Sequence, residues 1–583
     1  MENDALLKEV TAKAQQWLGE GYDAETRAEV QRMLDNEDKT DLIEAFYKDL
    51  EFGTGGLRGI MGVGSNRMNI YTVGAATQGL ANYLKKEFAS LPQIKVVIGH
   101  DCRNNSRKFA EISADIFSAN GIKVYLFESL RPTPEMSYTI RELGCQSGII
   151  LTASHNPKEY NGYKAYWDDG AQMVSPHDKN TISEVNKVRS VSDINFKGNP
   201  ALVEIIGKEI DEKYIARIKA LSLNPDAIAR QHDLKIVYTP IHGTGVTLIP
   251  QALAAYGFTQ VIHVPEQDVI SGDFPTVKSP NPEEPAALDL AIRKAKEVDA
   301  DIVLASDPDA DRIGIAVPDE EGNYVLLNGN QTCVLLTYYI CRRWSETGRL
   351  DGHQFVVKTI VTSEMVAEVA RSFGVKVFDC LTGFKYIAGI IRRQEPLGEK
   401  YIGGGEESFG YLPEDFVRDK DGVSSCALAA EAAAWAKSIG TTLYQLIKEL
   451  YVKYGFYKEG LVSIVRKGQE GQEEIHRMMV DWRTAPPKVI AGSSVAVIRD
   501  YLTGESRDLT TGKVTPIDME KSDVLQFITA DRSMVSVRPS GTEPKIKYYF
   551  SVREPLDAID RYDAVGSELD AKLERIKKDL RLE

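Results

Sequence analysis

Short apolar runs, each followed by a polar loop, constrain this chain more than any other feature. They lie at 95–99, 122–127, 147–151, 234–238, 301–305, 355–358 and 375–378. Runs of this length suit buried strands and are too short for buried helices. Helical patterns near 107–119 and 363–373 separate successive runs. Strand alternating with helix predicts βαβ units and mostly parallel sheets. At 583 residues the chain exceeds one core and predicts about three to five domains. Sheets of this kind present ligand groups in loops just past strand ends, so those loops are where chemistry is to be sought.

Thr152-Ala153-Ser154-His155-Asn156-Pro157 is such a loop, and Asn156-Pro157 turns the chain. A serine hydroxyl is a poor nucleophile until a neighbour activates it. Ser154 reads either as a carrier of a phosphoryl group or as a turn-stabilising serine. Lys164 follows ten residues later, near enough to fold back beside it, or else an ordinary surface lysine. Earlier, Gly53-Thr54-Gly55-Gly56-Leu57-Arg58-Gly59 reads as a turn whose glycines admit close backbone approach and whose Arg58 can fork onto a phosphate. It is neither a Walker loop nor a dinucleotide fingerprint. Polar loops also follow at 100–106, 131–134 and 239–245.

Ser306-Asp307-Pro308-Asp309-Ala310-Asp311-Arg312 leaves the run at 301–305. Pro308 excludes a central strand, so three carboxylates can converge. Hard oxygen ligands of this kind suit Mg²⁺. An EF-hand is excluded, since Arg312 stands where its glycine belongs and Pro318 where its terminal glutamate belongs. The alternative is a solvated acidic turn. The stretch 403–411 puts Glu406 and Ser408 after a glycine run, which suits sugar hydroxyls or a plain turn. Arg538-Pro539-Ser540-Gly541-Thr542 combines a planar fork, hydroxyls and inward-turning amides, the elements of a phosphate clamp, or of a hairpin loop.

The rest frames these loops. Residues 4–50 read as a helical lead-in, 180–232 as a polar crossover between domains and 265–285 as a long proline-rich loop. Helices are expected at 424–438, 441–453 and 557–580, and strands at 461–465 and 494–499. A formal charge of −15 argues against broad nucleic-acid binding. The apolar runs are too short to cross a membrane, and the polar, acidic start argues against a signal peptide. Six scattered cysteines with no C-x-x-C pair indicate neither zinc nor a disulfide framework and fit a cytoplasmic location.

Taken in order, the serine loop at 152–157, the aspartate loop at 307–312, the sugar loop at 406–408 and the phosphate loop at 538–542 resemble the signatures of the α-D-phosphohexomutases, the family of phosphoglucomutases and phosphomannomutases. The lead-in, the 53–59 loop and the 161–167 continuation resemble the branch that includes the phosphopentomutase-type phosphoglucomutases. The resemblance implies an α/β protein of four domains around a central cleft. Three similar α/β domains with mixed sheets (1–208, 209–322, 323–456) would precede a smaller α+β domain (457–583). It implies interconversion of sugar 1-phosphate and 6-phosphate through phosphoserine 154 and a bound bisphosphate, with glucose 1,6-bisphosphate as activator. Mg²⁺ would be held by Asp307, Asp309, Asp311 and a phosphate oxygen on Ser154. Lys164, Arg58 and His155 would assist proton movement and orient the phosphoryl group, and Arg312 would steady the intermediate. Glu406 and Ser408 would hold the sugar. Arg538, Ser540, Gly541 and Thr542 would hold the remote phosphate. Thr382, Gly383, Lys385 and His242 are further contacts carried by loop position. Glucose phosphate is the expected substrate, with mannose phosphate accepted. A pentose-phosphate mutase and a phosphoserine-dependent sugar phosphatase are the alternatives.

Overall fold

Apolar runs such as Ser147–Leu151, Ile302–Ser306 and Gln354–Thr359 become strands buried on both faces, whereas Lys376–Cys380, at a sheet edge, is only partly buried. The computed structural model describes residues 2–53, 55–466, 468–540 and 545–582. They group into two compact units.

The first unit holds the chain through Pro318, with 322–327 and 410–435. Its first sheet runs Gly56–Ile60, Tyr160–Trp167, Ser147–Leu151, Lys95–His100, Lys123–Phe127, Val203–Ile206. The four strands from Ser147–Leu151 onward are parallel, while Tyr160–Trp167 and Gly56–Ile60 add antiparallel. Val96, Ile98, Val124, Ile149 and Leu151 are fully buried in its core. The helices Ile70–Glu87, Ser106–Ala119 and Thr133–Glu142 supply much of the remaining apolar surface. The expected lead-in forms three helices, Glu2–Gln16, Ala24–Asp35 and Thr40–Phe46, packed around Trp17 and Tyr71.

A second sheet in this unit runs Tyr324–Leu327, Ile313–Pro318, Ile302–Ser306, Ile236–Thr239, Val261–His263, parallel over the last three and antiparallel before them. The strand Ile302–Ser306 stops one residue before Asp307, as the proline at 308 requires.

In the second unit, Gln354–Thr359 lies between Lys376–Cys380 and Lys400–Gly405, parallel to both. A C-terminal antiparallel sheet follows in the order Phe456–Val465, Lys545–Glu554, Met534–Pro539, Leu525–Thr529, Ser493–Asp500, Glu505–Asp508, Val514–Pro516. Helices Gly468–Thr484 and Tyr562–Asp579 accompany it.

Two expectations change. The 53–59 turn is in large part the edge strand Gly56–Ile60. Gly56, at φ +114°, is required there because a Cβ would lie 1.7 Å from the Tyr163 carbonyl oxygen. The polar 180–232 crossover contains Val203–Ile206, which closes the far edge of the first sheet.

Candidate active site

The serine loop leaves the strand Ser147–Leu151 and returns as Tyr160–Trp167. The antiparallel register sets Ile150 opposite Lys164. This hairpin brings Lys164 back beside the loop. Ser154 itself is buried and sits at φ +51°, a region a residue with a side chain seldom adopts. Its amide donates to Thr152 Oγ1 at 2.9 Å, and its hydroxyl donates to Asp307 Oδ2 at 2.7 Å.

Asp307, Asp309 and Asp311 converge as their spacing predicted. One carboxylate oxygen from each lies within 4.8 Å of the others, and all three are buried. Carbonyls of their loop are held from different elements: Thr244 N–H donates to Pro308 O, Thr133 N–H to Asp309 O and Gly422 N–H to Ala310 O. Gly243, in the 239–245 loop, permits this approach, since a Cβ there would stand 2.4 Å from Pro308 Cα.

Lys164 Nζ donates to Asp309 Oδ2 at 2.6 Å and to Asp311 Oδ2 at 3.2 Å, and Thr133 Oγ1 donates to Asp309 Oδ2 at 2.7 Å. Burial pushes all three carboxyls up. For Asp309, Lys164 reverses that push and holds it below the usual range. Asp311 is also held down, by Lys164 and Lys420 against burial and Asp309. Asp307 has no such cation bond and stays well above the usual range, by burial and then by repulsion from its two neighbours. Lys164 keeps its proton: burial opposes the charge, but Asp309 and Asp311 more than offset it. Asp309 Oδ1 and Asp311 Oδ1 are buried without a hydrogen-bond partner. Buried carboxylate oxygens with unused lone pairs, in an all-oxygen set, fit a small divalent cation.

His155 is half-buried, with Nδ1 3.3 Å from Ser154 Oγ. Burial, then the nearby Arg312 and Arg58, holds its imidazole well below the ordinary value and therefore neutral at pH 7. Arg58 donates to Asn156 Oδ1 at 3.4 Å, at the rim of the same loop. Arg312 pairs with Glu283 and lies 3.9 Å from Asp311.

Two groups here went unrecognised in the sequence. Lys420 Nζ lies 3.2 Å from Asp311 Oδ2 and 3.2 Å from Asp419 Oδ1. The sequence signal was Lys420-Asp421-Gly422 after the glycine run, and it was not connected to the aspartates. Arg103 reaches the serine loop from 100–106. His242 is a correction: it is fully buried, with Nδ1 on Val269 O at 2.7 Å and Nε2 on Thr276 Oγ1 at 2.8 Å, so both ring nitrogens serve the fold.

Within the second unit, Glu406 is buried at the end of Lys400–Gly405 and accepts from Gly383 N–H at 2.8 Å, so two of the expected sugar loops meet. Thr382 Oγ1 is buried without a partner, and Lys385 lies over the Tyr386 ring. Ser408 is half-buried on the same turn. Burial, then Glu406, raises the Glu407 carboxyl to about 7. The Tyr549 hydroxyl is pushed up to about 12 by burial, then by Glu407, with Glu406 adding to it and the nearby Arg538 charge opposing it. Ser540 N–H donates to Lys545 O at 2.8 Å. Gly541 and Thr542 lie outside the described residues.

Family models for phosphoglucomutase/phosphomannomutase α/β/α domains I, II and III match residues 49–191, 212–322 and 328–454. The phosphoglucomutase of Staphylococcus haemolyticus is 36% identical over 541 residues, covering 93% of this chain and 96% of its own length. That of Staphylococcus aureus (strain N315) is 37% identical over 533 residues, covering 91% and 93%. Among solved structures, the pp63/parafusin phosphoprotein of Paramecium in its open form aligns with a TM-score of 0.64 at 18% identity, covering 91% of this chain and 96% of that one. A phosphoglucomutase/phosphomannomutase family protein of Burkholderia thailandensis aligns at 0.61 and 19%, covering 90% and 96%. The structural likenesses speak for the fold alone. Family models in chain order, together with relatives matched over nearly their full length, show that this chain belongs to the phosphoglucomutase/phosphomannomutase family of sugar-phosphate mutases.

Proposed function

We propose that Ser154 carries a phosphoryl group and exchanges it with hydroxyls of a hexose phosphate, so that the 1-phosphate and 6-phosphate interconvert through a bound bisphosphate. The observation that carries this is the Ser154 hydroxyl at 2.7 Å from a buried carboxylate triad that a protonated lysine already touches. A sugar hydroxyl attacks phosphorus as the Ser154 Oγ–P bond breaks, and its proton must leave. That proton lies across phosphorus from Oγ and passes to a phosphoryl oxygen or to solvent, whereas His155, neutral and beside Oγ, is placed to take the Ser154 proton when the serine is rephosphorylated and to return it when the serine leaves. Lys164 and Arg58 offset the charge on the transferring group, and Arg312 steadies the bisphosphate while it reorients. Asp307, Asp309, Asp311 and a phosphate oxygen on Ser154 would hold Mg²⁺, which when bound supplies Lewis-acid neutralisation of the phosphoryl oxygens.

For the second unit we propose that Glu406, Ser408, Thr382, Gly383 and Lys385 bind the sugar, and that Arg538, Ser540, Gly541 and Thr542 bind the phosphate that does not react. The domain boundaries proposed are 208/209, 322/323 and 456/457. Glucose phosphate is the first substrate, a reading supported by Glu406-x-Ser408 and by the named activity of the staphylococcal relatives. Incubation with phosphorus-labelled glucose 1,6-bisphosphate should place label on Ser154. Ser154→Ala should lose labelling and turnover while still binding sugar phosphate. Undiminished turnover by Ser154→Ala would reject the carrier. Faster turnover of ribose 1-phosphate than of glucose 1-phosphate would reject the substrate ranking.

A further inference from the structure

The serine loop is fixed from one side by a single cation. Arg103 is 3% exposed, on the 100–106 loop past the neighbouring strand. Its Nη2 donates to Ser154 O at 2.6 Å and to Asn156 O, and its Nη1 donates to Pro157 O at 2.8 Å and Tyr160 O at 3.0 Å. Four carbonyls of one loop thus converge on one guanidinium. The guanidinium is itself held: Asp101 Oδ2 lies 3.4 Å from Nε, and the Phe274 ring lies 5.1 Å from its centre. Asp101 is anchored in turn, accepting from Arg103 N–H at 2.9 Å and Ser106 Oγ at 2.7 Å, while its own amide donates to Leu151 O at the strand end.

We propose that Arg103 is a positioning residue for phosphoryl transfer, its guanidinium holding Ser154 in the left-handed backbone conformation that sets Oγ against Asp307. This rests on Ser154 being the phosphoryl carrier. A conformation of this kind persists only where its surroundings over-determine it. Four carbonyls gathered from Ser154 to Tyr160 on a rigid fork meet that requirement. A lysine keeps the charge, but its ammonium is a point donor and cannot span two pairs of carbonyls in a plane. Arg103 donates to no triad carboxylate among the bonds of the described residues, so it acts through the loop.

The test compares Arg103→Lys with the parent in single-turnover phosphoryl transfer from glucose 1,6-bisphosphate, read as phosphoserine by mass spectrometry, and in steady-state kcat and KM. The expected result is a loss of about 100-fold in transfer rate and kcat, the scale of a misplaced reacting atom, with KM moved less than about threefold. Amide hydrogen exchange should rise at 152–160 and nowhere else. A folded Arg103→Lys that transfers at the parent rate, or one whose loss lies in KM alone, overturns the proposal. Should Arg103→Lys not fold, Asp101→Asn leaves the guanidinium in place without its counter-ion. It should show the same loop exchange and a smaller kcat loss, and parent-like values for both would overturn the proposal equally. Ser154→Ala separates the two readings. If that variant still turns over, the carrier assignment fails; if it is inactive while Arg103→Lys is normal, only the role of Arg103 fails.

Discussion

Removing the lysine that touches the triad should destabilise the metal-free protein and tighten its hold on Mg²⁺. Lys164 Nζ is the cation bonded to Asp309, whereas Asp311 keeps Lys420 at 3.2 Å. Lys164→Met therefore leaves one buried carboxylate without its cation. Taking away one partner of a buried pair costs about 3–5 kcal/mol. Because Lys420 remains on Asp311, the lower end, about 3 kcal/mol, is expected. A divalent ion seated on the triad competes with Lys164 for the same oxygens, so the variant should recover most of that loss when Mg²⁺ is present. A difference of about 3 kcal/mol that closes on binding corresponds to a dissociation constant up to about 100-fold lower. Urea unfolding in chelator and in saturating Mg²⁺, with calorimetric titration of Mg²⁺, measures both sides. Catalysis should stay impaired throughout, since the charge beside the transferring group is gone. Weaker Mg²⁺ binding by Lys164→Met, or an identical stability loss with and without the ion, would refute the competition.

Thr133→Val removes the hydroxyl that donates to Asp309 Oδ2 at 2.7 Å. It should weaken Mg²⁺ binding by roughly 10–100-fold, the range for partners of metal ligands, as calorimetry would show. The second unit carries a pH signature of definite sign. Burial raises both Glu407 and Glu459 from 4.5 to about 7, with Glu406 adding to the shift at Glu407. The unfolded chain releases these protons near 4.5 and the folded one near 7, so the folded state binds more protons between those values. Stability of this unit should therefore fall as pH rises from about 4.5 to 7 and level off above. Denaturation at pH 5 and pH 8 measures it, and Glu407→Gln should flatten the trend.

The parallel strands and the triad were legible because their signals are local. An apolar run such as Ser147–Leu151 is buried on both faces, and Asp-Pro-Asp-Ala-Asp brings its carboxylates together through the backbone alone. The edge strands were not legible. Gly56–Ile60 is glycine-rich and pairs only because Tyr160–Trp167 offers it an edge, and Val203–Ile206 is four residues inside a polar stretch. Arg103 escaped notice because its acceptors are backbone carbonyls, which leave no mark in side-chain spacing. Lys420 escaped because its partner Asp311 is distant in sequence. The opposite error occurred at His242, where a histidine in a promising loop spends both nitrogens on the fold.

The hairpin that joins the serine loop to Lys164 makes loop length a determinant of chemistry. Successive side chains of Tyr160–Trp167 alternate between the faces of the sheet. Lys164 therefore reaches the aspartates only while Ile150 stands across from it. An added or lost residue that shifted this pairing by one place would present Tyr163 or Ala165 to the carboxylates and bury an ammonium on the wrong side of the sheet. The tether between the acceptor hydroxyl and its neighbouring cation thus behaves as a ruler, tolerant of side-chain exchange along its rim and intolerant of any change in count.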